Sequence, residues 1–388
     1  MKEPVFDSWR DQPLDEVLFQ CRELYENIDF PTVAKWRDQG GKVLGHFQVY
    51  FPEEIAHAAG MLPVKIHGGN IQPDQADSRF GSYLCSIIKT SLEFALSGKV
   101  KLDAFVTHPI CDAARNLGAI WGRNYDYPCE ILYLPQNPNS VSSIPYLRGE
   151  YGRLKRMVEK VSGAEITEEA LRNSIQVFNQ NRRLLRELYE IKRDNPEKIA
   201  AEDAYALVAL AGIMPREEHN ELLEYALPLI RTVETKREDR IRVVFEGAFC
   251  EQPPFDMVRM LGRSSYVVDD DFLIGLRWIL SDIPVGEDPL QDLAHAYVED
   301  SSYSPVQHDL RKRKENMLIE RVRNSKADAV IVTAAKMCEP GLEEQVAYIH
   351  GLDKEGIPFF VSEFEENQSS FADLELQLET FMENLLFA

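Results

Sequence analysis

Three cysteines of this chain stand in the same kind of place. The segment Asp103-Ala-Phe-Val-Thr-His-Pro-Ile-Cys111-Asp112 sets Cys111 just past a short strand-like run. Ile241-Arg-Val-Val-Phe-Glu-Gly-Ala-Phe-Cys250-Glu251 does the same for Cys250, and Ala329-Val-Ile-Val-Thr-Ala-Ala-Lys-Met-Cys338-Glu339 for Cys338. Each cysteine is followed by an acid and then by a helical pattern. Open α/β sheets bind ligands beyond the carboxyl ends of their strands. A cysteine at a helix start also feels free N–H groups and the positive end of the helix dipole, which favour the thiolate, the form that binds metal. Cys111 and Cys338 are therefore expected to be ligands. Cys250 sits in the polar, proline-rich block Phe249-Cys-Glu-Gln-Pro-Pro254 and reads equally as a ligand or as the wall of a shaped loop.

The remaining cysteines differ. Cys85, near the start of the helical stretch Ser82 to Leu96, reads on its own as a core residue, because free cysteine is among the most buried types. Cys129 precedes a strand at its amino end and Cys21 lies in an N-terminal helix, so both are expected to be structural. The chain opens with mixed acids, prolines and apolar residues rather than a basic cluster before an apolar run, which is unlike a signal peptide. A cytoplasmic location is expected, and with it reduced thiols rather than disulfides. Soft thiolates without paired histidines point to iron–sulfur or zinc, not magnesium or calcium. Structural zinc usually shows a Cys-x2-4-Cys pair, and the sequence has none. Ligands drawn from distant strand ends suggest instead a cluster in an interdomain cleft.

The elements that must hold these thiols recur as a unit of β-branched run, loop and amphipathic helix. Further runs lie at Glu130 to Leu134, Ser265 to Val268 and Pro358 to Ser362. Strands alternating with helices imply parallel sheets with crossover helices, hence an α/β fold. Two groups of strands flank about a hundred residues of helical pattern. There Ile166-Thr167-Glu168-Glu169 reads as a staple and N-cap, and Pro196 and Pro215 as punctuation. The expected organisation is an N-terminal helical extension (1–40, with its helix near Leu14 to Leu24), a first α/β domain (41–150), a helical segment (151–238) and a second α/β domain (239–388).

Composition narrows the partners. With 44% hydrophobic and 28% charged residues, the chain reads as globular, and no apolar run approaches the ~18 residues of a membrane span. The net charge of −21, from 43 basic and 64 acidic residues, repels nucleic acid and anionic lipid. The one dense basic run, Arg311-Lys312-Arg313-Lys314, is expected to be a solvated helix face, and Asp269-Asp270-Asp271 a capped, solvated turn.

At its most telling blocks the chain resembles the benzoyl-CoA reductase and 2-hydroxyacyl-CoA dehydratase family, from about Leu14 to Leu386. These blocks are Phe51-Pro-Glu-Glu-Ile-Ala-His-Ala-Ala-Gly-Met-Leu-Pro63, Ser82-Tyr-Leu-Cys85, Ile110-Cys-Asp-Ala-Ala-Arg-Asn116, Phe249 to Pro254 with Val267-Val-Asp-Asp-Asp271, and Met337-Cys-Glu-Pro340. Within the family, the Phe249 and Val267 blocks look most like the smaller catalytic subunit, C or N type, of ATP-dependent benzoyl-CoA reductase. The resemblance implies two flavodoxin-like domains around a 4Fe-4S cluster, with Cys85, Cys111 and Cys338 as its ligands. Cys250 would be a fourth ligand or a pocket residue, and a related branch carries a double-cubane cluster. The implied reaction is a low-potential, dearomatising reduction of an aromatic acyl-CoA.

Implied partners are a homologous second catalytic subunit, separate ATPase subunits that activate the electron, and a low-potential donor such as ferredoxin. The sequence agrees in one respect: it contains neither a Gly-x4-Gly-Lys-Ser/Thr loop nor a Gly-x-Gly-x-x-Gly fingerprint. By match to the family block, Glu54 is the acid/base candidate; the plain alternative is an exposed carboxylate at a helix start. His108, three residues before Cys111, is expected to donate a proton or hydrogen-bond a cluster sulfur, or else to be structural. Other readings are a 2-hydroxyacyl-CoA dehydratase subunit, a non-catalytic electron carrier, and a two-domain small-molecule binder with inert cysteines.

Overall fold

The computed structural model describes residues 2–47, 51–81, 83–247, 253–271, 281–302, 309–365, 368 and 370–387. Cys250 lies outside the described residues. Two helices, α1 (Leu14–Glu26) and α2 (Pro31–Asp38), precede a first α/β unit. That unit runs β1 (Val43–Phe47), α3 (Glu53–Ala58), β2 (Leu62–Ile66), α4 (Ser86–Leu96), β3 (Ala104–Thr107), α5 (Asp112–Asn124) and β4 (Cys129–Ile131). A helical middle follows, with α6 (Ser143–Ser162), α7 (Glu168–Asp194), α8 (Ala201–Ala209) and α9 (Arg216–Thr232). The second unit contains β5 (Ile241–Glu246), α10 (Phe255–Ser264), β6 (Ser265–Asp270), α11 (Pro289–His295), α12 (Lys314–Ser325), β7 (Ala329–Ala335), α13 (Glu339–Glu355), β8 (Phe359–Phe364) and α14 (Ala372–Leu386).

Each unit holds one four-stranded, all-parallel sheet, ordered β2-β1-β3-β4 and β6-β5-β7-β8. Numbered within its own unit, each sheet has the order 2-1-3-4, which is the flavodoxin order short of its fifth strand. The expected two-sheet α/β fold is thus present. Strands β1, β2, β3, β6 and β7 are buried along their whole length, as parallel strands must be when crossover helices cover both faces. Two strands, β1 and β2, do not stand out as β-branched runs in the sequence. Gly45 and His46 interrupt the one, and Pro63 and Lys65 the other.

The helical middle does the joining. At its start Thr167 caps α7, its Oγ1 accepting from the Ala170 N–H at 3.1 Å, and Leu171, Ile175, Leu185 and Leu188 are buried along one face. This 27-residue helix packs on α3 in the first unit and on β6 in the second. Helix α1 packs on α8 and α9, so the N-terminal extension rests on the helical middle. One apolar core runs from α1 through the first sheet and the middle helices to the second sheet, and a smaller cluster around Leu318, Val322 and Tyr348 backs the second sheet's other face. Among the described residues, no helix is long and apolar enough to cross a membrane.

Candidate functional site

Helices α4, α5 and α13 begin at Cys85, Cys111 and Cys338, each of which is the N-cap residue of its helix. Their side chains line one cavity of about 320 Å³, at the carboxyl ends of β3 and β7, between the two sheets. Cys85 therefore joins Cys111 and Cys338, two of the three cysteines that strand-end position singles out. The rest of the wall is mostly apolar, with Phe47, Ile87, Ile88 and Ile110 among its residues, while Tyr83 and Met337 stand exposed at the rim. No disulfide joins any of the five described cysteines.

Local backbone geometry sets these thiols. Cys111 Sγ accepts a hydrogen bond from the Ala114 N–H at 3.3 Å, so the first turn of α5 grips the sulfur. The expected net shift toward thiolate is not met. Burial pushes the Cys111 thiol above its ordinary pKa, and Glu339 and Asp112 push the same way, against the opposing pull of the Ala114 and Ala113 N–H groups. Without a bound cation the site thus holds a thiol at this position, and ionisation belongs to the binding of a metal, which deprotonates a coordinating thiol outright. At Cys338, the preceding Met337 takes a φ of 64°, and Pro340 lies in the first turn of α13.

The donor set fits an iron–sulfur group. Three soft sulfurs face a shared apolar volume, each at a helix N-terminus whose N–H groups suit the negative charge of thiolates and sulfide. Among the described residues, no three His, Cys, Asp or Glu side chains converge on a single ion position. A cluster does not require that, because each cysteine ligates a different iron and the ligands stand apart around it.

The other expected site residues are elsewhere. Glu54, on α3, is 3% exposed, and its carboxylate is ion-paired with Arg182 of α7, which also donates to Asn179 Oδ1 at 3.0 Å. It is neither an exposed carboxylate nor part of the cavity wall, because α7 covers α3 and brings the arginine with it. Its neighbour Glu53 pairs with Arg216 and accepts from His46 Nε2 at 2.9 Å. Burial pushes the Glu53 carboxyl up, but Arg216 and His46 more than offset this and hold it below the ordinary range.

His108 is buried at the end of β3, and burial lowers its pKa to about 3, with His46 adding to the effect. At neutral pH it is uncharged and has no spare proton, which leaves hydrogen bonding as its available role. Cys21 in α1 and Cys129 at the amino end of β4 lie away from the cavity, and burial pushes each thiol up to about 12.

Of the two charged runs that look solvated in the sequence, the acidic one is not, whereas Arg311 and Arg313 of the basic one are exposed. The Asp269-Asp270-Asp271 run is buried, since β6 is an edge strand covered by α7 and α12. Its counter-charges come from those helices: Lys192 pairs with Asp270, and Arg321 lies 3.4 Å from Asp269. The basic run at 311–314 is tied locally, with Arg311 on Glu299 and Asp309, Arg313 on Glu315, and Lys314 on Glu344 at 2.7 Å. It forms no separate cationic site.

Comparison with known proteins bears on this cavity. The family model described as 2-hydroxyglutaryl-CoA dehydratase, D-component, matches residues 48–385. The C-type subunit of benzoyl-CoA reductase from Thauera aromatica is 32% identical over 382 residues, covering 95% of this chain and 98% of that protein. The beta subunit of lactoyl-CoA dehydratase from Anaerotignum propionicum is 28% identical over 376 residues, 96% of this chain and 99% of the relative. The beta subunit of (R)-2-hydroxyglutaryl-CoA dehydratase from Acidaminococcus fermentans is 26% identical over 362 residues, 91% and 95% respectively.

Proposed function

From the premise that this chain belongs to the 2-hydroxyglutaryl-CoA dehydratase D-component family, which also takes in its benzoyl-CoA reductase relative, we propose that it is the iron–sulfur subunit of an ATP-dependent aromatic acyl-CoA reductase. The single observation that carries this reading is the meeting of Cys85, Cys111 and Cys338 in one apolar cavity between two sheets. These three thiolates would hold a 4Fe-4S cluster. When bound, such a cluster takes up and passes on single electrons at a potential set by its ligands and surroundings.

The chain's own residues supply the rest. Phe47, Ile87, Ile88 and Ile110 keep the volume dry, which raises the cost of each added charge and lowers the potential. The N–H groups at the starts of α4, α5 and α13 offset part of that charge without moving. His108 stays a neutral imidazole at the end of β3, held by the Leu132 backbone, and Glu54 anchors α3 to α7 through Arg182. The sequence carries neither a phosphate-binding Gly-x4-Gly-Lys-Ser/Thr loop nor a nicotinamide fingerprint, so ATP hydrolysis and electrons come from separate subunits. The three relatives are themselves named as subunits of larger enzymes.

Benzoyl-CoA is the favoured substrate because identity is 32% to the reductase relative, against 28% and 26% to the two dehydratases. The dehydratase family model keeps 2-hydroxyacyl-CoA dehydration as the second reading. Anaerobic purification should give a brown protein with about four iron and four sulfide per chain. Cys111→Ala or Cys338→Ala should bleach it, and Cys21→Ala should not; full iron after loss of Cys338 would rule out this ligand set. With partner subunits, ATP and a low-potential donor, consumption of benzoyl-CoA rather than a 2-hydroxyacyl-CoA separates the two activities.

A further inference from the structure

A second cavity, of about 350 Å³, opens on the same edge of the first sheet, at the carboxyl end of β2. Its walls come from both units. His67, the first residue after β2, supplies one side with the Gly68-Gly69 backbone, and Pro254 and Phe255 at the head of α10 supply another. Tyr25 of α1 and Tyr205 of α8 complete it. Cavities of this size, set beyond strand ends and between domains, are where proteins hold small ligands.

The aromatic walls fix one another. The Tyr25 ring stacks on His67 with centroids 4.7 Å apart, and it meets Phe255 at 5.7 Å and Tyr205 at 6.1 Å. Tyr205 is held in turn by its hydroxyl, which donates to the Pro253 carbonyl at 3.0 Å. Helix α4 carries the His67 side: Ser91 Oγ donates to the His67 carbonyl at 3.3 Å, and a Cβ on Gly69 would meet the Phe94 ring at 2.6 Å. The site is built before any ligand arrives, which lowers the cost of binding one.

His67 presents an acceptor to this volume. The residue is 8% exposed, and its Nδ1 lies 2.5 Å from the Gly68 carbonyl oxygen, which can only accept. Nδ1 therefore carries the hydrogen. Burial keeps the ring neutral by lowering its pKa to about 4, so Nε2 bears a lone pair. No described residue donates to Nε2, and the lone pair is what the ring offers a ligand. The Asn70 and Gln368 amides, at exposed positions of the wall, can donate or accept.

Charge selects the ligand further. Among the described residues no lysine or arginine lines the cavity, whereas Glu26 and Asp256 do. Asp256 is paired with Arg259 at 2.7 Å and sits in the first turn of α10, where it answers the positive end of that helix. Glu26, the last residue of α1, stands at the negative end of its helix and has no ion-pair partner among the described residues. Burial pushes its carboxyl above the ordinary range, against the pull of Arg259. A phosphate-bearing ligand such as an acyl-CoA would meet like charge here.

We propose that this cavity binds a small organic cation: a primary ammonium group whose N–H donates to His67 Nε2 and whose charge is met by Glu26, on an apolar body that packs against Tyr25 and Phe255. An ammonium supplies the donors that Nε2 lacks, and aromatic faces attract cations through the ring quadrupole. The site goes beyond the proposed function and does not depend on a cluster in the thiol cavity.

Calorimetric titration of the full chain with benzylammonium chloride should show saturable binding at one site per chain. Benzyltrimethylammonium keeps the charge without an N–H and should bind about tenfold more weakly, and benzoate should not bind. His67→Phe keeps the ring packing, removes the acceptor and should weaken benzylammonium about tenfold. Glu26→Gln, at an exposed position, should weaken it about threefold and reduce its salt dependence, and this variant carries the test if His67→Phe fails to fold. No saturation by about 10 mM benzylammonium, equal binding of either comparison ion, or an affinity unchanged in the folded variants overturns the proposal. Iron and sulfide measured on the same samples report the cluster separately: a chain without them overturns the proposed function and leaves this site as it stands.

Discussion

Met337 adopts a φ of 64°, and this left-handed turn sets Cys338 at the head of α13. A side chain in that conformation costs about 1 kcal/mol, which glycine does not incur. Strain of this kind at the turn that carries Cys338 is a trade of stability for position.

Replacing Met337 by glycine should therefore keep the turn and the iron, with stability changed by less than about 1 kcal/mol, since glycine's looser unfolded chain offsets the relief. Valine resists the left-handed region and should cost about 1–3 kcal/mol and loosen Cys338. Urea unfolding and iron analysis of the two variants check this. Equal iron loss in both would place the importance of Met337 in its side chain.

Gly341 makes a steric prediction at the same turn. Its missing Cβ leaves space that an alanine methyl would narrow to 3.3 Å from Cys338 Sγ and 3.4 Å from the Ala334 methyl. Gly341→Ala should fold, because helix α13 continues unchanged, yet release iron to a chelator about tenfold more readily. Retention equal to the parent would mean that the thiol has room to move aside.

Some of this was legible in the sequence and some was not, for physical reasons. Strands β3 to β8 announced themselves as β-branched runs, whereas β1 and β2 did not, because Gly45, His46, Pro63 and Lys65 are tolerated there only by tertiary packing. Cys111 and Cys338 could be found from strand-end position. Cys85 could not, since the cavity that gives it meaning forms only when α4 meets α13 from the other unit. Charge was the least readable property. Asp270 and Glu54 look solvated in sequence, and their partners Lys192 and Arg182 lie 78 and 128 residues away.

Those partners make Glu54 testable. Both Glu54 and Arg182 are buried, and breaking a buried ion pair by removing one member typically costs about 3–5 kcal/mol, mostly through the charge left behind. Arg182→Met and Glu54→Gln should each destabilise by that order, and the double variant should recover part of the loss. Turnover per folded molecule should persist in Glu54→Gln. A Glu54→Gln protein of parental stability and no turnover would instead return Glu54 to proton transfer.

Acid should weaken the fold well before the carboxylates titrate. Burial lowers the pKa of His67 to about 4 and of His108 and His219 to about 3, so all three imidazoles are uncharged in the folded chain at neutral pH. The unfolded chain binds protons at these positions below its ordinary pKa of about 6.5. Between that value and the folded ones it carries more protons than the native state, so stability falls as pH falls. The loss is up to about 1.4 kcal/mol per pH unit for each histidine, and above about 6.5 these groups contribute no slope. Glu53 works in the same direction, because its depressed pKa makes its stabilisation disappear on acidification. Glu246 works in the opposite direction, since its raised pKa favours the fold at low pH. Three imidazoles outweigh it between pH values of about 6.5 and 5, so the urea midpoint of the metal-free chain should drop across that range. Imidazole proton resonances that titrate near 6.5 in the folded chain would show that burial does not hold these rings neutral.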